Sequence, residues 1–394
     1  MHLRLVWAAA RVFLILLSGV GLTLLPSCRT SPFPDPTTEF RDELKEEIGP
    51  LEPQLGQWPE VLRPYYLGSA AREYHQHFRV TRALSGDPET YQQEPFAHRM
   101  GMVPWRDGEL GVQVFAPPQP WRGTVFFTHG YLAHMGVFID MARYIAEAGY
   151  VVVAFDLPGH GFSTGERANI DSFDQYGFTV ADMVQWAQDL PTRELPAVSP
   201  WVRRRRGAFS GGDELVNPPP FPEPWFALGH STGATAFVIH GEHLRRDGVE
   251  SPFAHRILIS PLVRNVYWGP AITYARLTWR LRRHYRPLIG SGQLVGSHNF
   301  PITWALALGD WNREVRREYR PQAGGVSILQ GEQDDVVAID YNLRTLQELL
   351  PESTVLLYRE MNHVMHRKTP ENVALWQDVV DILNGVYESL PERP

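Results

Sequence analysis

A mostly parallel sheet flanked by helices, an α/β architecture, is predicted for this chain by three observations. Six nearly continuous apolar runs recur along it: Thr124–Thr128, Val151–Phe155, Trp225–Leu228, Arg256–Ser260, Val326–Gln330 and Thr354–Tyr358. Such runs suit strands covered by helices on both faces. Helical patterns, such as residues 137–148, lie between most of them, and strand alternating with helix builds a parallel sheet with right-handed crossovers. Gly111–Ala116 alternates apolar and polar residues instead, as a half-buried antiparallel strand should.

The composition agrees with a folded globular chain. It has 394 residues, 43% hydrophobic and 21% charged, enough for one large domain with insertions or for two modest domains. A net charge of −7 argues against a general nucleic-acid binder, because phosphate binding is driven by an excess of Lys and Arg.

The chain opens as a targeting segment. Arg4 and Arg11 supply positive charge, Val12–Leu25 is an apolar run, and Leu25-Pro26-Ser27-Cys28 closes it. That core is short for a transmembrane helix and suits a signal peptide over 1–27. Leu-x-Ser-Cys resembles the lipobox of bacterial lipoproteins, which implies acylation of Cys28. Cys28 is the one cysteine of the chain, so it has no intramolecular disulfide partner, and lipidation accounts for its place. Arg29, where Asp is absent, points by analogy with lipoprotein sorting to the outer membrane, facing the periplasm.

Four further segments follow. Residues 28–40 are polar and Pro-bearing, as in a flexible tether, and 41–96 read as an N-terminal extension. The main domain spans 97–390. Within it, 191–224 is a Pro- and Arg-rich insertion loop that cannot build a core. Residues 262–322, rich in Trp, Tyr and Arg, sit between two strands and are long enough for a helical cap.

The chemistry centres on Phe226-Ala-Leu-Gly-His-Ser231-Thr-Gly-Ala234. Ser231 falls at a strand-to-helix junction, where a serine is often only the N-cap of the helix. Glycines two residues to either side favour a nucleophile on a strained turn, which a simple cap does not need. A serine nucleophile needs a base, and the base an orienting acid. Asp334 follows Val326–Gln330, and His363 follows Thr354–Tyr358; both lie past strand ends, where open α/β sheets bind ligands. Asp335 and His366 are the neighbouring alternatives, and either Asp334 or His363 alone can be an ordinary turn or surface residue. Negative charge developing on a carbonyl oxygen needs backbone N–H donors. Thr232, after the nucleophile, and Tyr131, on the loop after Thr124–Thr128, are placed to supply them.

Other motifs do not lead to chemistry. Gly159-x-Gly161-x-x-x-Gly165 misses the dinucleotide-binding spacing by one residue, and His240-Gly-Glu-His243 is not a zinc-binding HExxH. His75 and His77 lack companion ligands, so neither a metal nor a cofactor is expected. Arg203–Arg206 reads as a solvated loop.

HGYLAHMG (129–136), DLPGHGFSTGER (156–167), GHSTG (229–233), GEQDDVV (331–337) and NHV (362–364) together resemble the monoacylglycerol lipase and lysophospholipase group of serine α/β-hydrolases. The likeness covers roughly 97–385. It implies Ser231 as nucleophile, Asp334 as acid, His363 as base, and Tyr131 and Thr232 as oxyanion donors. That group commonly has Met-Gly-Gly after the serine, where this chain has Thr232-Gly233-Ala234. The expectation is a lipid-anchored serine hydrolase cleaving lipid-like carboxylic esters through an acyl-enzyme, with the membrane as a partner and no nucleic acid. A proline-iminopeptidase-like peptidase and a non-catalytic envelope lipoprotein are the alternatives.

Overall fold

The computed structural model describes residues 28–29, 35, 37–55, 68–80, 97–117, 120–190, 221–280, 284–285, 294–297 and 300–386. The signal peptide expected over 1–27 and most of the 191–224 insertion lie outside them. The first strand is Cys28–Arg29 (β1). An antiparallel pair, Ala97–Trp105 (β2) and Gly108–Ala116 (β3), precedes the first parallel strands, Thr124–Thr128 (β4) and Val151–Phe155 (β5). Trp225–His230 (β6) and Phe253–Ile259 (β7) follow, then the two-residue strands His284–Tyr285 (β8) and Phe300–Pro301 (β9). Gly325–Gly331 (β10) and Ser353–Tyr358 (β11) complete the set.

Eight of these strands form one sheet in the order β2-β3-β5-β4-β6-β7-β10-β11. β3 pairs antiparallel with β2 and β5, and every other neighbouring pair is parallel. The chain runs outward in one direction from β4 to β5 and in the other from β6 to β7. Strand order therefore reverses between β4 and β6, and a ligand crevice is expected past their carboxyl ends.

Helices cover both faces. The N-terminal ones are Thr38–Ile48 (α1), Glu52–Leu55 (α2) and Ser69–His77 (α3), followed by Ile139–Glu147 (α4), Asp174–Asp189 (α5) and Thr232–Asp247 (α6). Trp268–Thr278 (α7) and Ile302–Arg317 (α8) precede Ile339–Leu349 (α9) and Pro370–Leu383 (α10). One buried cluster joins the sheet to α5, α6, α8 and α9; the other joins it to α1, α3, α4 and α10. With the sheet between two apolar layers, the central strands β4, β5 and β6 are buried along their length, which is why they read as continuous apolar runs, whereas β11 at the sheet edge is partly exposed.

Two regions depart from the sequence reading. β2 carries Arg99, Gly101 and Pro104, which hide its pattern, yet it pairs with β3 over its whole length. Within 28–40, expected to be a flexible tether, Cys28–Arg29 pairs with β8, and α1 begins at Thr38. Asp35 organises that start: its carboxylate accepts from Thr37 N–H at 3.0 Å and from Arg41 Nη1 at 2.8 Å. The extension is part of the core, with Leu44 and Tyr74 wholly buried. It also covers the free edge of β2, exchanging the bonds Met102 N–H to Gly49 O and Leu51 N–H to Met102 O, and a paired edge is protected from pairing with other chains.

Candidate active site

β6 ends at His230, and α6 starts at Thr232. Ser231 makes the turn between them with φ 53° and ψ −114°, a conformation costly for any residue with a Cβ. Its side chain makes no capping hydrogen bond, so the N-cap reading loses its physical basis. The flanking glycines are required by close approach. A Cβ at Gly229 would lie 2.5 Å from Ala234 N, and one at Gly233 would lie 2.5 Å from His129 O. The backbone is pinned by Ser231 N–H donating to Ile259 O at 2.9 Å. Five described non-glycine residues have positive φ, namely Arg79, Leu132, Ala168, Ser231 and Ser260. All but Arg79 are at Ser231 or at the segments packed around it, so backbone strain concentrates here.

Asp334 and His363 are brought together from loops after β10 and β11. His363 Nδ1 lies 2.7 Å from Asp334 Oδ2. The other carboxylate oxygen accepts from Val336 N–H at 2.9 Å and Val337 N–H at 3.0 Å, and Gln330 Nε2 donates to Oδ2 at 3.2 Å. Burial raises the Asp334 pKa, but the hydrogen bond and charge of His363 and the two backbone donors outweigh it, holding the group at about 2. Asp334 thus stays ionised and orients the ring with its Nε2 free to act as base. Asp335 is exposed. His366 packs its ring 5.0 Å from Phe138, and burial with the nearby Arg367 and His363 charges lowers it to about 4.

Ser231 and His363 are coupled through His230, whose Nε2 donates to the His363 carbonyl at 3.0 Å, with the two rings 4.8 Å apart. Among the described residues, the Ser231 hydroxyl makes no hydrogen bond to His363; such contacts often tighten only when substrate is bound. Ser231 itself is 4% exposed.

Both oxyanion candidates lie on segments beside this serine. Thr232 is the first residue of α6, and its N–H has no intrahelical acceptor. Across from it, Gly130 approaches so closely that a Cβ there would lie 2.9 Å from Ser231 Cβ. The next N–H, that of Tyr131, donates to no acceptor among the described residues. The Tyr131 side chain is fixed: its hydroxyl donates to Ala168 O at 2.8 Å, and its ring stacks on Trp304 of α8 at 3.6 Å. The 262–322 segment therefore rests on the oxyanion loop. Of the apolar residues in that segment, Ile272, Trp304 and Leu308 are buried, whereas Tyr267 is 36% and Leu277 76% exposed.

His230 and Gln330 are site residues that sequence reasoning missed, because each reads as an ordinary strand residue until its contact with the His363 carbonyl or the Asp334 carboxylate is seen. His240 packs on Phe253, His243 bonds Asp174, and His75 stacks edge-on to His98. Among the described residues, no group of three or more His, Cys, Asp or Glu is placed to hold a metal.

The chain superposes on a soluble variant of monoglyceride lipase from Saccharomyces cerevisiae, solved with a substrate analogue, with a TM-score of 0.56 at 12% identity, over 74% of this chain and 96% of that one. A monoacylglycerol lipase from Paleococcus ferrophilus gives 0.51 at 18% identity, over 71% and 99%. The chain has the α/β-hydrolase fold. Within this fold, residues 119–198 match the family described as serine aminopeptidase, S33. A monoglyceride lipase homolog of Monkeypox virus is 31% identical over 36% of this chain and 39% of its own length. Human monoglyceride lipase is 27% identical over 40% of this chain and 41% of its own. The matched region thus spans about two-fifths of either curated relative.

Proposed function

We propose that this α/β-hydrolase is a serine hydrolase that cleaves carboxylic esters of lipid-like substrates, of the monoacylglycerol or lysophospholipid type. The observation that carries the reading is the strained, non-capping Ser231 opposite an Asp334–His363 pair, with two N–H groups beside it. His363 Nε2 takes the Ser231 proton as Oγ attacks the ester carbonyl carbon. The resulting oxyanion is held by the N–H groups of Tyr131 and Thr232. His363 then gives its proton to the departing alcohol oxygen as the C–O bond breaks, leaving an acyl-enzyme. Water, deprotonated by the same ring, releases the acid and restores Ser231. Lipid-like esters are favoured because the relatives matched are described as monoglyceride lipases and because 262–322 carries apolar bulk over the oxyanion loop.

The N-terminus belongs to the same proposal: cleavage before Cys28, acylation of that residue, and residence in the bacterial outer membrane facing the periplasm. No helix among the described residues is long and apolar enough to cross a membrane. β1 starts at Cys28 and pairs with β8 within 262–322, so the acylated residue would sit beside the cap. Membrane fractionation of a Cys28→Ser variant tests this, with unchanged membrane retention as the contrary result.

Turnover of p-nitrophenyl esters from acetyl to decanoyl, set against an aminoacyl amide, tests the substrate class. A kcat/KM that rises with chain length by up to ~0.8 kcal/mol per buried CH₂ is expected. A steady fall from acetyl onward, or faster amide cleavage, would replace the lipid-ester reading with a small-ester or peptidase one.

A further inference from the structure

His129 immediately precedes the oxyanion loop and is wholly buried, yet the chemistry above assigns it nothing. Both of its ring nitrogens are engaged. Nε2 accepts from Leu157 N–H at 3.0 Å, so in the neutral ring the proton sits on Nδ1. Nδ1 lies 2.7 Å from Gly130 O and donates to it. That carbonyl and the Tyr131 N–H are opposite ends of one peptide unit. A trans peptide is planar, so fixing the direction of its C=O fixes the direction of its N–H. The same carbonyl accepts a second bond from Ala133 N–H at 3.1 Å, and two donors define the plane where one would leave a pivot.

The far side of the ring is equally constrained. Asp156 Oδ1 lies 3.6 Å from Nε2, but that carboxylate is taken up by Met135 N–H at 2.6 Å and Phe162 N–H at 3.2 Å. Burial holds the ring well below the ordinary histidine range, a direction reinforced by the His160 charge, so it stays neutral with one donor and one acceptor.

We infer that His129 is a positioning residue of the oxyanion hole: its Nδ1–H holds the Gly130 carbonyl and thereby aims the Tyr131 N–H at the carbonyl oxygen of an acyl group on Ser231. This rests on the Ser231 reading. It differs from a packing role because only the donor at the Nδ1 position matters. Asparagine places an amide donor near that position. Glutamine instead keeps an acceptor for Leu157 and offers no donor to Gly130.

The test compares His129→Gln with His129→Asn. His129→Gln should lower kcat by about 10- to 100-fold with KM within about twofold, as expected when one oxyanion donor is misdirected. The Ki of a trifluoromethyl ketone, whose adduct carries the oxyanion, should rise by the same factor. His129→Asn should keep kcat within about fivefold of wild type, since it retains one charge-neutral donor of the same reach. Equal kcat values for the two variants, or a ketone Ki that does not move, would overturn the inference. Should either variant fail to fold, ¹⁵N spectra of the wild-type enzyme decide: a neutral His129 ring protonated at Nδ1 is expected, and an Nε2–H tautomer contradicts it. Failure of the underlying reading looks different, because Ser231→Ala would then remain active.

Discussion

The turn at Ser231 and the 262–322 segment lie against each other and are determined in opposite ways. Around Ser231, position is set by backbone: Gly229, Gly130 and Gly233 let three segments approach within distances no Cβ tolerates, and β-strand hydrogen bonds anchor each loop. In 262–322, position is set by side chains, with Trp304 stacked on Tyr131 while Leu277 is 76% exposed. Backbone-determined geometry tolerates almost no substitution, which suits reacting atoms that need sub-ångström placement. Side-chain packing tolerates many substitutions, which suits a surface that selects among substrates. Chemistry is thus expected to fail abruptly when the first region is altered, and specificity to drift when the second is.

The largest effect should come from the serine and the base. Ser231→Ala or His363→Ala should each lower kcat by ~10⁶, since members of such a triad act as a unit. Steady-state kinetics checks this, and turnover lost in His366→Ala but kept in His363→Ala would reassign the base. Next, Asp334→Asn should cost ~10⁴ in kcat, whereas Asp335→Asn, on an exposed side chain, should change it little. Equal, mild effects would remove the distinction between the two carboxylates.

Cap substitutions should act on a smaller scale and on one substrate class. Leu277→Asp should leave stability within about 0.5 kcal/mol, as for most exposed positions. It should leave the acetyl ester unaffected and lower kcat/KM for a decanoyl ester by about tenfold, one exposed apolar contact being worth about 1.5 kcal/mol. Equal losses on both esters would show that the cap serves the chemistry rather than selection.

The pH dependence of stability, which leaves the chemistry itself untouched, comes last. Burial above all lowers the histidines at 75, 255 and 366 to about 4 and those at 160 and 240 to about 3. Their ordinary value is 6.5, so below it the unfolded chain binds protons that the folded one does not. Stability should therefore fall as pH drops from 6.5 toward about 4. Asp334, held at about 2 against an ordinary 3.8, adds a loss only below that window. Thermal unfolding from pH 8 to pH 4 checks this; a flat Tm would mean that these rings are solvated.

The same contrast explains what the sequence disclosed. The parallel strands were legible because burial on both faces forces continuous apolar residues. Ser231, Asp334 and His363 were legible because the chemistry demands those residue types just past strand ends, in that chain order. β2 was not, because Arg99, Gly101 and Pro104 interrupt it and its place depends on pairing with β3. The helical start within 28–40 was hidden by prolines and emerges only with the Asp35–Arg41 contact. Nor were His129 and His230 legible: a buried histidine and a positioning one look alike until the carbonyl each ring addresses is known.

The central claim is that Ser231 is the covalent nucleophile of an active hydrolase. Labelling the active, full-length protein with a fluorophosphonate and mapping the adduct by mass spectrometry tests it most directly. One adduct on the peptide carrying Ser231, formed as ester turnover disappears and absent from Ser231→Ala, is the predicted result. Active protein that takes no label, or an inactivating adduct on a different serine, would contradict it.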